Sequence, residues 1–189
     1  MTQYLGGMGI IVLGVAILPL LGVGGMQLFK AEAPGPTTDK LAPRIGETAK
    51  VLWKVYLLFT AILFSLLSGA GMDAFEAVCH AMTTMASGGF STRATSITAF
   101  DSPFIEWTIT IFMLIAGINF TLHFLLPRIG PRVYWRDPEW RAYTWTTLLM
   151  IGIVTAALIL GGTQMGFGES IRKAAFQVVS ILTTTGYAS

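Results

Sequence analysis

Two stretches of this chain carry no charge at all: Val55 to Met72 and Tyr143 to Gly168. Uncharged apolar runs of this length are long enough to cross a bilayer and are hard to place in a water-soluble domain. Over the whole chain 12% of residues are charged and 53% are hydrophobic. An ordinary soluble domain has about 25% charged residues. A mean hydropathy of +0.67 agrees. These values exclude a soluble globular domain, a disordered chain and a secreted disulfide scaffold, and the single Cys79 has no internal partner. The net charge of +2 has no continuous basic face behind it, so no nucleic-acid partner is expected. The start, Met1-Thr2-Gln3-Tyr4, lacks the basic region of a cleavable signal, and the first apolar segment is expected to stay in the protein.

Four apolar segments read as spans: Tyr4 to Phe29, Val51 to Ser68, Phe104 to Leu126 and Tyr143 to Gly161. Each has about the 20 residues needed to cross a hydrocarbon core. Pro19 predicts a kink in the first. Lys30, Lys40, Arg44, Lys50 and Lys54 follow the first span, and Arg128, Arg132, Arg136 and Arg141 follow the third. The positive-inside rule puts both linkers in the cytoplasm, so the lipid bilayer is the first expected partner. Trp53, Tyr56, Trp107, Trp135, Trp140 and Trp145 lie near the span ends, as interfacial aromatics do.

Asp73 to Met85 does not fit this scheme. A helix of about 13 residues extends only about 20 Å, too short to cross. Ala86-Ser87-Gly88-Gly89-Phe90-Ser91-Thr92 follows it and reads as irregular backbone. Spans on either side run in opposite directions, so the segment is expected to be re-entrant: a short helix enters and an extended strand climbs out. Such backbone is tolerated at membrane depth only where protein buries it or where it lines a watery cavity. The pattern recurs after the fourth span, as Gly168 to Leu182 and then Thr183-Thr184-Thr185-Gly186-Tyr187-Ala188-Ser189. An offset of 97 places Gly89 on Gly186, Phe90 on Tyr187, Thr83 on Ser180 and Ala77 on Ala174. Weak internal symmetry of this kind marks repeat-built transport proteins.

A dehydrated cation needs several oxygens, and backbone carbonyls supply them without holding the ion too tightly. Glycine accepts the dihedrals that aim successive carbonyls at one axis. The candidate site residues are therefore Ser87, Gly88, Gly89 and Phe90 in one segment and Thr184, Thr185, Gly186 and Tyr187 in the other, with carbonyls of Gly88, Gly89, Thr185 and Gly186 facing the ion. The C-terminal ends of the short helices would point their partial negative charge at it. Asp73, Glu76, Asp101, Glu106 and Glu169 flank the segments and predict a mildly acidic mouth.

At this point the chain resembles a family. The span, pore helix and span pattern, with Thr-Thr-Thr-Gly-Tyr and Ser-Gly-Gly-Phe-Ser filters, is similar to the Trk/Ktr/HKT superfamily of K⁺ transporters. Leu5-Gly6-Gly7-Met8-Gly9-Ile10-Ile11-Val12-Leu13, Ile17-Leu18-Pro19, Gly24-Gly25-Met26-Gln27-Leu28 and Val133-Tyr134-Trp135-Arg136-Asp137-Pro138-Glu139 resemble bacterial Trk potassium uptake proteins of the TrkH type. The resemblance implies an all-α membrane protein of four helix–pore helix–filter–helix repeats around one pore, with one filter glycine per repeat, here Gly89 and Gly186. It implies potassium uptake across a bacterial inner membrane, a homodimer and a cytoplasmic nucleotide-binding regulatory subunit (TrkA-like). No cofactor is expected, K⁺ being the cargo. On this reading residues 1–29 are the inner helix of a preceding repeat and 30–46 a cytoplasmic linker. Residues 47–127 are a complete repeat, 128–141 a second linker, and 142–189 the first helix, pore helix and filter of the next. The set of repeats is incomplete, so the chain reads as a fragment, and the alternative is a non-conducting scaffold or assembly subunit. Channel-type permeation and ion-coupled symport are both compatible with this chemistry.

The remaining polar residues read as structural. Thr83 and Thr84 are expected to bond the helix backbone, and His80, matched by Gln177, to make a polar contact rather than relay protons. Asn119 and His123, on one helix face, are expected to bond a neighbouring helix, and Cys79 to act as a small buried hydrophobe. Arg93 is expected to pair with Asp73 or Glu76. No zinc-protease motif, P-loop lysine or Ser-His-Asp set is present, so no enzyme activity is expected.

Overall fold

The computed structural model describes residues 2–17, 41–162 and 165–189. Pro19 and the glycines from Gly22 to Gly25 lie outside them. Among the described residues the chain is helical, with no β-strand. The elements are α1 (Thr2–Ile17), α2 (Leu41–Gly69), α3 (Ala74–Met85), a 3₁₀ turn (Ser96–Phe100), α4 (Pro103–Ala116), α5 (Phe120–Ile129), α6 (Arg132–Arg136), α7 (Pro138–Leu160) and α8 (Phe167–Leu182).

Helix starts follow the local chemistry. Asp73 accepts a hydrogen bond from the Phe75 amide at 3.1 Å and so caps α3. Asp137 does the same for α7, from the Trp140 amide at 2.7 Å, with Pro138 opening the first turn. Among the described residues two helices are long and apolar enough to cross a membrane, Lys50–Gly69 within α2 and Pro138–Leu160. They correspond to the second and fourth expected spans. The second linker is not unstructured either, since it holds α6.

Helix α2 is the centre of the packing. Leu52, Tyr56, Leu63 and Leu67 recur at helical spacing and are buried against α1, α3 and α4. Tyr4 of α1 stacks on Tyr56 with ring centres 4.9 Å apart and bonds the Thr60 hydroxyl at 2.9 Å. Helix α7 is arranged the other way round. Its buried residues are Thr147 and Thr155, while Leu148, Leu149, Ile153 and Leu160 are exposed. Small polar residues inward and leucines outward is the pattern of a helix that faces lipid.

The third expected span, Phe104 to Leu126, is not one helix. It breaks at Gly117-Ile118-Asn119 between α4 and α5. Asn119 therefore sits in the break and not on a common face with His123, and its side-chain amide donates to Glu139 at 3.5 Å. The carbonyls that the break would free are satisfied by side chains. His123 donates from Nε2 to the Ile115 carbonyl at 3.0 Å and accepts at Nδ1 from the Tyr134 hydroxyl at 2.8 Å. Tyr143 donates to the Leu114 carbonyl at 3.4 Å. A helix can stop at membrane depth only when such partners exist.

Gly117 makes this junction possible. A Cβ there would sit 2.7 Å from the Tyr143 hydroxyl and 3.0 Å from Thr183 Cγ2. Gly117→Ala in the complete protein is expected to lose about 1–3 kcal/mol of stability through overpacking. Thermal unfolding in detergent checks this, and an unchanged transition would show that the junction has room.

Candidate functional site

The two Gly-aromatic segments adopt the same backbone path. Each short helix ends at a residue near φ −86°: Ala86 (−87°) and Thr183 (−85°). The next residue turns left-handed, Ser87 at +50° and Thr184 at +57°. Two positions on, Gly89 (+63°) and Gly186 (+84°) are left-handed again. Gly88 and Thr185 between them are not. Left-handed backbone is unfavourable for Ser and Thr by about 1–3 kcal/mol, so such residues persist only where their surroundings hold them. In an ordinary strand successive carbonyls face opposite sides. Alternating handedness instead lets successive backbone groups converge on one side.

The supporting bonds also recur at the 97-residue offset. The amides of Ala86 and Thr183 donate to the carbonyls of Met82 and Val179. Those of Ser87 and Thr184 donate to Thr84 and Ile181. The hydroxyl of Thr83 lies 3.0 Å from the Phe90 carbonyl, and that of Ser180 lies 2.7 Å from the Tyr187 carbonyl. A side chain on each short helix thus holds the same carbonyl of its own segment. The segments are irregular backbone and not β-strands.

They also meet each other. A Cβ on Gly89 would collide with the carbonyl oxygen of Thr185, so no side chain fits there. A Cβ on Gly88 would run into the side-chain amide of Gln3, which brings the start of α1 to the first segment. Tyr187 is buried, with its hydroxyl 2.5 Å from Thr83 Oγ1 and accepting from Thr84 at 3.3 Å. Thr84 therefore bonds a side chain of the other segment and not its own helix backbone, while Thr83 also contacts the Cys79 carbonyl at 2.9 Å. Phe90 stands at the position matched to Tyr187 yet is 68% exposed.

His80 is fully buried and structural. It donates from Nδ1 to the Glu76 carbonyl at 2.7 Å and accepts at Nε2 from Ser91 at 2.9 Å, tying the end of the first segment to α3. Cys79 is only half-buried. Arg93 pairs with Glu76 at 2.5 Å, one of the two expected partners, and that hydrogen bond raises the guanidinium's already high pKa.

Three of the five carboxylates expected at the acidic mouth are paired with basic residues. Glu76 is taken by Arg93. Glu106 is buried and held by Arg172 at 2.6 Å and Lys173 at 2.7 Å. Glu169 lies 3.8 Å from Arg172, and Asp73 caps its helix. Sequence reading missed this network, although one signal was available: Lys173 falls on Glu76 at the 97-residue offset, and charged residues are rare in these helices. No group of three or more His, Cys, Asp or Glu residues among the described residues could hold a metal ion.

Comparison with known proteins decides the family. A family model described as TrkH, cation transport protein, matches residues 1–189. The chain belongs to the TrkH family. It is 52% identical over 189 residues to the Trk system potassium uptake protein TrkH of Escherichia coli K12, covering 99% of this chain and 39% of that protein. The TrkH of Vibrio parahaemolyticus is 47% identical over 192 residues, again with 39% of its length covered. TrkG of Escherichia coli K12 is 37% identical over 191 residues. The crystal structure of the potassium transporter TrkH from Vibrio parahaemolyticus matches with a TM-score of 0.84 and 41% identity, over 98% of this chain and 37% of that one. The chain therefore spans about two-fifths of the length of the TrkH-family relatives it matches.

The cross-segment contact is testable within this family frame. Tyr187→Phe removes the hydroxyl that Thr83 and Thr84 share, and about 1–2 kcal/mol of stability is expected to go with it. Thermal unfolding of the complete protein measures this. A transition at the wild-type temperature would mean that the hydroxyl does not tie the segments together.

Proposed function

We propose that this chain is part of a Trk-type transporter that takes up K⁺ across a bacterial inner membrane through a filter of backbone carbonyls. The observation that carries the reading is the paired left-handed geometry at Ser87 and Gly89 and at Thr184 and Gly186, 97 residues apart in a TrkH-family chain. The curated relatives are named potassium uptake proteins. On this reading the carbonyls of Gly88, Gly89, Thr185 and Gly186 replace part of the ion's hydration shell. Ser87, Phe90, Thr184 and Tyr187 complete the two filter segments. The ends of α3 and α8 point their partial negative charge at the ion. K⁺ is cargo, and no cofactor enters.

The same reading takes residues 47–127 as one repeat unit and 142–189 as most of the next. It places the basic segments around Lys50 and Arg132 to Arg141 in the cytoplasm, where a regulatory nucleotide-binding subunit would dock, and it makes the working protein a homodimer.

The test is Rb⁺ uptake with Na⁺ competition in the complete transporter. Gly89→Ala is expected to lose most uptake, since its Cβ collides with the Thr185 carbonyl. Gly186→Ala has open space but keeps φ +84° only under strain. Its uptake is expected to survive, with Rb⁺ over Na⁺ discrimination lowered by about tenfold. Wild-type uptake and discrimination in both variants would remove the filter reading.

A further inference from the structure

The same position of the two short helices carries a charged residue with opposite sign, Glu76 in α3 and Lys173 in α8. Each engages the exit of a Gly-aromatic segment. Glu76 pairs with Arg93, just after the first segment, and Arg93 in turn lies 5.9 Å over the ring of Phe100. Lys173 bonds the Ser189 hydroxyl at 3.1 Å, and Ser189 falls on Thr92 at the same offset, one residue before Arg93. The second clamp reaches further than the first. Lys173 also pairs with Glu106 of α4, whose Oε1 accepts from Ser189 at 3.0 Å, while Oε2 faces Arg172 at 2.6 Å. The exit of the second segment is thus bound to its own helix and to α4 through one buried carboxylate. The backbone adds two bonds nearby, from Ile97 to the Ala188 carbonyl at 3.2 Å and from Ala188 to Ser96 Oγ at 3.2 Å.

A carboxylate this buried is tolerated because two cations and a hydroxyl surround it. With Glu169 the cluster has two positive and two negative charges, so it attracts no ion. What it supplies is geometry. Carbonyls discriminate between ions only when their spacing is held, and a segment with left-handed residues needs restraint at both ends. The Thr184 amide on the Ile181 carbonyl restrains the start, and Ser180 and the Glu106 cluster restrain the end.

We propose that Glu106 and Lys173 are positioning residues for ion selectivity, acting through Ser189 on the carbonyls of the second segment. The proposal rests on the filter reading above, and its test separates the two. Rb⁺ uptake and Na⁺ inhibition are measured in the complete transporter, normalised to protein in the membrane. Glu106→Gln and Lys173→Met are expected to lower Rb⁺ over Na⁺ discrimination about tenfold, as an unmade buried charge-assisted bond does. The maximal Rb⁺ rate per transporter is expected to change far less, whereas a purely structural role would lower the rate and leave discrimination alone. Lys173→Arg keeps the charge and is expected to restore discrimination to within about twofold of wild type. Ser189→Ala leaves every charge in place and serves if the charge variants do not reach the membrane. It is expected to lose about threefold in discrimination, the effect of one lost hydrogen bond. Wild-type discrimination in Ser189→Ala, or in both charge variants, overturns the positioning role. Gly89→Ala and Gly186→Ala, run in parallel, distinguish the failures: if only these lose uptake or discrimination the filter stands without this clamp, and if both are also unchanged the filter reading falls.

Discussion

A helix that stops inside a bilayer leaves carbonyls and amides with no water to take them, and the protein has to provide the partners itself. This constraint shapes most of what surrounds the two Gly-aromatic segments. Helices α3 and α8 end at Met85 and Leu182, and α4 ends at Ala116. The amides of Ala86, Ser87, Thr183 and Thr184 take carbonyls in the last turns of α3 and α8, and side chains hold the backbone around them. Thr83 and Ser180 reach the carbonyls of Phe90 and Tyr187. His123 and Tyr143 reach those of Ile115 and Leu114. Three ends are also brought together, since Gly117 packs against Thr183 and Tyr187 reaches Thr83. The irregular backbone is therefore held by a shared set of hydroxyls and one imidazole, not by a regular ladder.

Charge is used for restraint more than for attraction. Arg93, Arg172 and Lys173 are the basic residues near the segments, and all three are paired with carboxylates. Pairing lowers the charge felt at the exit of the segments, where five carboxylates stand against these three cations. The contrast between Tyr187 and Phe90 has a related reading. Tyr187 is buried against α3, the helix of the other unit. Phe90 has no equivalent neighbour among the described residues and is exposed.

Much of this was legible in the sequence, for physical reasons. The charge-free runs announced α2 and α7, because their length and composition suffice. Asp73 and the twelve mostly apolar residues after it announced a helix too short to cross. The 97-residue offset announced that Gly89 and Gly186 share a backbone conformation, and their dihedrals agree. The break at Gly117 was not legible, since glycine is common inside membrane helices and nothing local in Gly117-Ile118-Asn119 reveals that Tyr143 and Thr183 crowd it. The pairing within the acidic mouth was not legible for a similar reason. Composition counts charges, whereas the pairing of Glu106 with Arg172 and Lys173 depends on packing between residues some 70 positions apart.

The central claim is that these two segments hold K⁺ with backbone oxygens, and the most direct measurement locates the ion. Crystals of the complete transporter grown in Rb⁺ and measured at its absorption edge are predicted to show anomalous density between the carbonyls of Gly88 and Gly89 and those of Thr185 and Gly186. That density is predicted to weaken when Na⁺ replaces Rb⁺. Anomalous density elsewhere in the protein, with none beside these four residues, would contradict the account.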